Sequence, residues 1–226
     1  LAQIDCRQIT IPDFPTSGLL QFWAINDDLT GCNFDNNTEQ KDFRICYYET
    51  VDPTVTEEEV AAKEGNNLPC EEDFFPIEGC FGLKFEQTTD RMSRCDYRFW
   101  EKMAELMREC YPEQAKQLFA DEDAKEAFEE ELEEYLDERD EQDETPDWMP
   151  DAFGHKIGGY PGFTQEDPRN IAAEDDHDVL LLQIDTDEAG EREIMWGDSG
   201  VANFFISREH LKQRNFQDVI YTWDCC

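Results

Sequence analysis

Apolar runs near both ends of the chain predict β-strands. In the first fifty residues, 18–25 is an apolar run between turn residues, and 43–48 is rich in aromatic and β-branched side chains. In the last third, 179–184 is almost continuously apolar, which is typical of a strand covered on both faces. Further apolar runs lie at 194–196, 201–206 and 219–223. Together they predict a β-rich unit at each end of the chain.

The middle of the chain has a helical period instead. From about residue 93, apolar side chains recur at 97, 100, 103, 104 and 107, and again at 128, 132, 135 and 136. The second set lies in the tract 121–147, which holds 16 acidic and two basic residues. We interpret this tract as an amphipathic helix with solvated charges, the alternative being a cation-binding or partner-mimicking arm. Before it, Thr56 and Glu59 form a capping-box pattern that predicts a short exposed helix at 56–64.

The charge balance excludes several classes of partner. Acidic residues number 56 against 19 basic ones, a formal net charge of -37 at pH 7. Such a surface repels the phosphates of nucleic acids and of anionic membranes, and no apolar run approaches the roughly 20 residues that span a bilayer. Because 39% of the residues are hydrophobic, the chain is not expected to be disordered. We therefore expect a soluble globular protein that binds neither nucleic acid nor membrane.

The nine cysteines do not form a metal or redox motif. No two of them have the C-x-x-C spacing on which zinc ribbons and thioredoxin-like sites depend. Seven are spread singly along the chain, and the last two, Cys225 and Cys226, are adjacent. This usage predicts reduced, mostly buried thiols in a cytoplasmic protein without a cofactor or a bound metal.

Three blocks of sequence recur in the same order. Residues 1–5 match 181–185 at an offset of 180, 18–23 match 200–205 at 182, and 43–48 match 218–223 at 175. The offsets differ by only seven residues, which indicates two copies of one β-rich unit that cover each other's apolar faces.

We therefore predict an α+β fold of internally duplicated β-rich units related by a pseudo-twofold axis, with a helical acidic insertion between them. One domain spans 1–226, with a first repeat at 1–92, the insertion at 93–147 and a second repeat at 148–226. The second repeat carries a Gly-Gly segment, 156–161, ahead of its first strand. The first repeat has no equivalent after Leu1, so we expect the chain to be truncated at its amino end.

Two short motifs imitate known sites and lack required parts. Residues 197–200 read Gly-Asp-Ser-Gly, like the nucleophile motif of trypsin-like proteases, but no matching histidine and aspartate accompany them. A tight turn with glycines at positive φ explains them better. Residues 185–190 resemble the start of an EF-hand loop, but Ala189 and Trp196 stand where oxygen ligands are required. We interpret this second motif as a hairpin turn, and the acidic cluster at 175–178 as a poor metal site.

The loop 155–169 and the later turn that contains Trp196 and Asp198 hold the candidate binding residues. Gly158 and Gly159 permit a backbone path that a side chain would block, and Pro161 fixes the exit. The same loop contains an acid–base group in His155, an amide in Gln165 and an ion pair formed by Asp167 and Arg169. The alternative is a purely structural loop, locked by an Asp167–Arg169 bridge against Trp196 and Asp198. The candidate set is His155, Lys156, Tyr160, Gln165, Asp167, Arg169, Trp196 and Asp198, with no catalytic or metal-binding residue.

Several of these segments resemble the YwqG-like bacterial family. The segments are His-Lys-Ile-Gly-Gly-Tyr-Pro at 155–161, Gln-Glu-Asp-Pro-Arg at 165–169, Leu-Gln-Ile-Asp at 182–185, Met-Trp-Gly-Asp-Ser-Gly at 195–200 and Tyr-Thr-Trp-Asp-Cys-Cys at 221–226. The match is strong over 155–226, clear over 1–50 and faint across the acidic middle. The resemblance implies an α+β fold. It transfers no activity, because the family is catalogued as a domain of unknown function.

Two classes of function remain. One is a non-catalytic protein-interaction module whose acidic surface steers a basic protein partner, an immunity-like antagonist of a basic toxin being one example. The other is a small-molecule or hydrolytic site in the cleft between the repeats, built on His155 and Arg169. Because every catalytic signature is incomplete, we favour the first. The charge itself also fits adaptation to a high-salt habitat.

Overall fold

The computed structural model describes residues 1–62, 75–140, 152–171, 177–190 and 192–226. Two three-stranded antiparallel sheets, a two-stranded hairpin and a group of helices make up this part of the chain, so the predicted α+β class is confirmed. Some sequence predictions fall outside the described residues: positions 63 and 64 of the helix expected at 56–64, the end of the acidic tract at 141–147, and Asp175 and Asp176 of the acidic cluster. None of the described helices is long and apolar enough to cross a membrane.

The first sheet has three antiparallel strands in the order β1–β2–β3. They are β1 (Ala2–Asp5), β2 (Leu19–Ala24) and β3 (Phe43–Tyr48). Alternate residues of β2 and β3, such as Leu20, Phe22 and Ile45, are buried on one face, which we call the inner face. The opposite, outer face carries Gln3 and the exposed ring of Trp23. This alternation is typical of a sheet with one side in the core.

The second sheet repeats that arrangement later in the chain. Its order is β4–β7–β8, with β4 (Val179–Asp185), β7 (Val201–Ile206) and β8 (Ile220–Asp224). Every residue of β7 is buried, and so are all residues of β4 except Asp185. The prediction that 179–184 is covered on both faces is therefore confirmed.

The inner faces of the two sheets pack against each other. The Phe22 and Phe204 rings meet edge to face with 5.0 Å between centroids, and Phe204 stacks on Tyr221 at 4.5 Å. The Phe43 ring lies tilted against Tyr221, with 5.1 Å between the ring centroids. Edge-to-face and offset ring pairs are the favourable geometries for aromatic side chains. These rings form the centre of the main hydrophobic core.

The loop 25–42 ties the first sheet to the last strand. The Tyr221 hydroxyl donates a hydrogen bond to the main-chain oxygen of Thr30 at 3.0 Å, and the Trp223 indole N–H donates one to the main-chain oxygen of Leu29 at 2.7 Å. The Tyr221 N–H also donates to the Asn37 oxygen at 2.9 Å. The place of Trp223 in the last apolar run, 219–223, predicts that it is buried. This prediction is wrong, because its ring is half-buried at the end of the sheet, while Tyr221 is fully buried.

Residues 152–164, which we call the strap, cover the free edge and the outer face of the second sheet. At Lys156 the strap pairs with β4: the Gln183 N–H donates to the Lys156 oxygen at 2.8 Å, and the Lys156 N–H returns a bond of 3.2 Å. Phe163 then packs into a second apolar cluster with Leu180, Phe205 and Ile220 on the outer face. The strap is the reason that the second sheet is buried on both sides.

The two sheets have corresponding registers. Gln3 lies opposite Gln21, and Gln183 lies opposite Asn203, as the offsets of 180 and 182 require. For the third strand the pairing of Tyr48 with Leu19 and of Asp224 with Val201 gives an offset of 176, so the sequence alignment at 175 was one residue out of register. A slip of one residue exchanges the two faces of a strand.

The helices begin with a short exposed one and continue with three that follow one another. They are α1 (Glu57–Ala61), α2 (Phe99–Cys110), α3 (Pro112–Leu118) and α4 (Glu122–Asp140). The Thr56 hydroxyl caps α1 and Glu59 completes the predicted capping box. In α4, Leu136 is fully buried among exposed carboxylates, so this part of the acidic tract is an amphipathic helix. A further helix, α5 (Arg208–Gln213), lies between β7 and β8 and was not predicted.

Three local predictions need correction. The strand expected at 194–196 is β6 (Arg192–Ile194), paired with β5 (Asp187–Ala189) in a hairpin that includes most of the EF-hand-like motif. In the turn 197–200 the residues at positive φ are Gly197 and Ser199. Gly200 is needed because a Cβ there would collide with the Asp224 oxygen. Of the eight cysteines in the described segments, all free thiols, only Cys6 and Cys32 are buried. The expectation of mostly buried thiols is therefore wrong.

Candidate functional site

A large cavity lies between the edge of β1, the strap and the segment 77–90. Its volume is about 2390 Å³. Three of the predicted site residues, His155, Lys156 and Tyr160, line it. Gly158 and Gly159, at φ of 70° and 76°, shape the wall there, since a Cβ on Gly158 would lie 2.9 Å from Ile11. The backbone path predicted for the two glycines is therefore present.

His155 is held on both sides of its ring. Its Nδ1 accepts the Asp185 N–H at 3.0 Å, and its Nε2 lies 3.3 Å from an Asp187 carboxylate oxygen. Because Nδ1 accepts from a main-chain N–H, the neutral ring carries its proton on Nε2 and donates it to Asp187. A histidine engaged at both nitrogens positions the hairpin and has no nitrogen left to act as a base.

Lys156 and Tyr160 are joined through Asp90, a residue that the sequence analysis missed. One Asp90 carboxylate oxygen accepts the Tyr160 N–H at 3.0 Å and lies 3.5 Å from the Lys156 Nζ. The Lys156 Nζ also donates to the main-chain oxygen of Tyr160 at 3.2 Å. The same carboxylate occupies the place that a Cβ on Gly159 would need. Nothing in the sequence around Asp90 marked it, because its partners lie about 70 residues away.

Asp167 and Arg169 belong to a different place, a buried ionic cluster beside the outer face of the second sheet. Arg169, only 1% exposed, donates to Asp167 through Nε at 2.9 Å and Nη2 at 2.7 Å, and Nη2 lies 3.3 Å from Asp96. Its guanidinium lies 4.0 Å from the Phe205 ring centroid. The predicted Asp167–Arg169 bridge is therefore present. It lies against Asp96 and Phe205 and not, as predicted, against Trp196 and Asp198.

Asp96 anchors this cluster to the start of α2. Burial alone raises its pKa, but bidentate hydrogen bonds from Arg98 at 2.8 and 2.7 Å and the charge of Arg169 more than offset the burial. The pKa of Asp96 therefore lies below its usual value of 3.8, and the carboxylate stays ionised inside the protein. Such paired and fully bonded charges fix a structure and leave no group free for chemistry.

The remaining candidates lie near the end of the chain. Gln165 donates its N–H to Asp224 at 2.8 Å and its side-chain amide to the Cys225 oxygen at 2.7 Å. Trp196 is buried with its ring 6.1 Å from that of Trp223, and Asp198 is exposed in the turn. Burial raises the pKa of Asp224, although donors at Gln165 and Thr164 oppose the shift. The structure thus divides the eight candidates among three places.

Two of those places are structural, so the cavity remains as the candidate binding site. Within the described segments, no group of three or more histidine, cysteine or carboxylate side chains is placed so that it could hold a metal ion. The cavity lining combines apolar side chains with amides, lysines and carboxylates, which suits binding by contact and hydrogen bonding.

Comparison with known proteins places the whole chain in one family. Residues 1–225 match the model of a domain of unknown function, DUF1963. The protein belongs to this family. No curated protein matches the chain significantly. The membership agrees with the resemblance found in the sequence and supplies no activity for the site.

The most informative residues that sequence reasoning missed are a row of amides on each sheet. On the outer face of the second sheet, Gln183 bonds through its side chain to Ala152, Gly154 and Gly162 of the strap, and Asn203 donates to the Gly162 oxygen at 2.8 Å. On the first sheet, Gln3 and Gln21 occupy the corresponding positions and line the cavity. A signal was present, since Gln3 and Gln183 are both the Gln of a repeated Gln-Ile-Asp sequence.

Proposed function

We propose that this protein is a non-catalytic protein-interaction module whose acidic face binds a basic protein partner. The observation that carries the proposal is α4, in which 11 of 19 residues are acidic and two are basic. The carboxylates of Glu130, Glu133, Glu134, Asp137 and Glu138 share one exposed, shallow concavity of about 450 Å³.

Three of these carboxylates do not serve the stability of the helix. Glu130, Glu134 and Glu138 follow one another at i, i+4 spacing, and each like-charged pair of this kind destabilises a helix by about 0.2–0.5 kcal/mol. Asp137, by contrast, is paired with Arg94. A cationic partner would relieve the repulsion among the glutamates, which supports a binding role for this face.

Four substitutions on α4 test the proposal. We expect the wild-type protein to capture a basic partner in a pull-down at 50 mM KCl and to lose it at 500 mM, because salt screens charges beyond a few ångströms. A variant with four carboxylates neutralised should lose the partner at low salt: Glu130→Gln, Glu133→Gln, Glu134→Gln and Glu138→Gln. A matched variant with the same change in charge elsewhere should keep it: Asp28→Asn, Asp35→Asn, Glu101→Gln and Glu109→Gln. Equal capture by both variants would contradict a role for α4.

High-salt adaptation predicts a different result. A protein adapted to high salt requires salt to fold, so its unfolding temperature would rise steeply between 0.1 and 2 M KCl, and neutralising either set of four carboxylates would raise it equally. An interaction face makes the response specific to α4. Unfolding curves of the two variants at both salt concentrations separate these explanations.

A small ligand in the cavity is the second candidate function, favoured by its volume and by the lysine and histidine on its wall. Arg169 does not contribute to such a site, because it is buried in the ionic cluster. The test is a thermal-shift screen of metabolites on the wild type and on a His155→Ala, Lys156→Ala variant. A ligand that raises the unfolding temperature of the wild type alone would favour this function over the first.

We also propose that the two sheets are copies of one unit related by a pseudo-twofold axis. The corresponding strand registers of the two sheets support this proposal. So do two glycines at corresponding positions: a Cβ on Gly18 would collide with the Tyr48 oxygen, and a Cβ on Gly200 would collide with the Asp224 oxygen. Phe22 and Phe204, which correspond, also contact each other, as residues near a twofold axis must. In a crystal structure, β1–β3 should superpose on β4, β7 and β8 by a rotation near 180°. A different relation would refute the axis.

A further inference from the structure

The free edge of β1 corresponds to the edge of β4 that the strap occupies. Cys6 donates its N–H to the Gly18 oxygen, and in the second sheet Thr186 donates its N–H to the Gly200 oxygen. Hydrogen-bonded and non-hydrogen-bonded residue pairs therefore fall at corresponding positions in the two sheets. Hydrogen-bonding residues alternate along an antiparallel strand, which turns the main-chain N–H and C=O of Gln3 away from β2. No hydrogen bond among the described residues engages them. In the second sheet the same groups of Gln183 bind Lys156 of the strap.

The outer face beside that edge carries the matching side chains. Gln183 and Asn203 hold the strap by bonding its main-chain groups, an interaction that does not depend on the sequence held. Gln3 and Gln21 bond only to each other, at 2.6 Å, and through Gln21 to the Trp23 indole, so far as the described residues show. Both glutamines line the large cavity. The first sheet thus has the edge and the amide pair of the strap's binding site without a strap among the described residues.

The charge of the cavity selects the chemistry of an occupant. Seven carboxylates line it against two lysines. The strap itself, 152–164, contains no acidic residue, although the chain has 56. It contains one lysine, one histidine and four glycines. Gly162 has to be glycine because a Cβ there would lie 2.8 Å from the Ala152 oxygen.

We propose that the edge of β1 and the Gln3–Gln21 pair bind an extended, glycine-containing, acid-free segment of a protein partner. The segment adds to the first sheet as an antiparallel strand, exchanges main-chain hydrogen bonds with Gln3, and is held across the outer face by the two side-chain amides. Strand addition of this kind is a recurrent mode of peptide recognition. The inference rests on the proposed interaction role and adds a second contact, remote from α4 in sequence, with its own chemistry.

The probe is a fluorescein-labelled synthetic peptide with the sequence of residues 152–164, titrated with the full chain at 150 mM KCl and followed by anisotropy. We expect saturable binding to the wild type. A Gln3→Ala, Gln21→Ala variant should bind about tenfold or more weakly, because two side-chain hydrogen bonds are lost. The matched control, Gln114→Ala, Gln117→Ala, removes two exposed glutamines of α3 and should bind as the wild type does.

A second measurement needs no protein variant. The same peptide, methylated on the main-chain nitrogen of the residue that corresponds to Lys156, keeps every side chain and loses the N–H that strand addition requires. We expect its binding to the wild type to be abolished. Absence of binding by the unmodified peptide would overturn the proposal, and so would equal binding by the methylated peptide or by the Gln3→Ala, Gln21→Ala variant.

The two proposals fail separately. If the edge of β1 is the binding site, the four-carboxylate variant of α4 still binds the peptide, whatever its effect on partner capture. Loss of partner capture in that variant, with unchanged peptide binding, supports both proposals. Peptide binding that disappears in the α4 variant and persists in the Gln3→Ala, Gln21→Ala variant would overturn the strand-addition site alone.

Discussion

The two sheets have the same order and register, yet among the described residues one is enclosed and the other is open on one side. Polar residues of the second sheet, such as Gln183 and Asn203, are fully buried because the strap supplies partners for them. Their counterparts Gln3 and Gln21 face the cavity. The difference shows that the amide row does not itself set the burial of a sheet. Burial depends on whether a main-chain segment is present to satisfy the amides, since an unpaired buried amide is costly.

The largest effect should come from the ionic cluster on the enclosed sheet. Replacing Arg169 by Ala leaves the Asp167 and Asp96 carboxylates buried without that cation. We expect the free energy of unfolding to fall by about 4 kcal/mol, measured by urea denaturation. The control beside the open sheet is Arg7→Ala, whose pair with Asp5 is exposed to solvent and should contribute little to stability. Similar losses in the two variants would show that the enclosed sheet is no more dependent on its polar groups than the open one.

The shared core should respond alike from either side. Phe22→Ala and Phe204→Ala each remove a fully buried ring, so each should lower the free energy of unfolding by about 3 kcal/mol. Because the rings touch, the double variant should differ from the sum by about 1 kcal/mol. Strict additivity in denaturation experiments would mean that the two inner faces are not packed as described.

Removing one side-chain amide from each sheet should change the stability of the protein by different but smaller amounts. In Gln183→Ala, the Gly162 N–H and two strap oxygens lose a buried partner, and we expect a loss of about 2 kcal/mol with faster hydrogen exchange in the strap. Gln3→Ala at the corresponding position should change the stability by less than about 0.5 kcal/mol. A large loss in Gln3→Ala would show that the outer face of the first sheet is already covered.

The smallest effect concerns Asp224, which corresponds to Tyr48 of the open sheet. Its folded-state pKa is raised by burial, so ionisation disfavours the folded state as the pH rises above the usual value of 3.8. Asp224→Asn should therefore raise the unfolding temperature at pH 7, and the gain should vanish as the pH falls below that value. A variant that is less stable than the wild type at neutral pH would show that the hydrogen bonds to the carboxylate outweigh its burial.

The local sequence pattern predicted secondary-structure elements well where an apolar run or a capping motif marks them directly. The strands at 43–48 and 201–206 follow directly from apolar and aromatic runs, and the capping box at Thr56 starts α1 as expected. The alignment of the third repeat block failed because it matched two isoleucines, Ile45 and Ile220. The first faces the main core and the second faces the outer cluster. Residue identity does not reveal a face, whereas ladder pairing does.

The site could be predicted only in part, because its members come from distant segments. The pairing of Asp167 with Arg169 is local and was evident at a spacing of two. The contribution of Asp96, 73 residues before Arg169, depends on how α2 docks and leaves no trace in the local pattern. His155 was expected to be an acid–base group, yet Asp185 and Asp187 engage both of its nitrogens, a contact made by the hairpin that follows β4.

The loop 25–42 has a consequence for how the protein is made. Its hydrogen bonds with Tyr221 and Trp223 join residues about 190 positions apart, so they cannot form until the last strand exists. Ribosomes add about 5–20 residues per second, which leaves the inner face of the first sheet waiting for roughly 10–40 s. During that interval Phe22 and Phe43 have no second sheet to pack against. Contacts this distant also slow folding after synthesis, because loop closure precedes any gain from burial. We therefore expect the nascent first half to be the form of the chain that is most prone to aggregation.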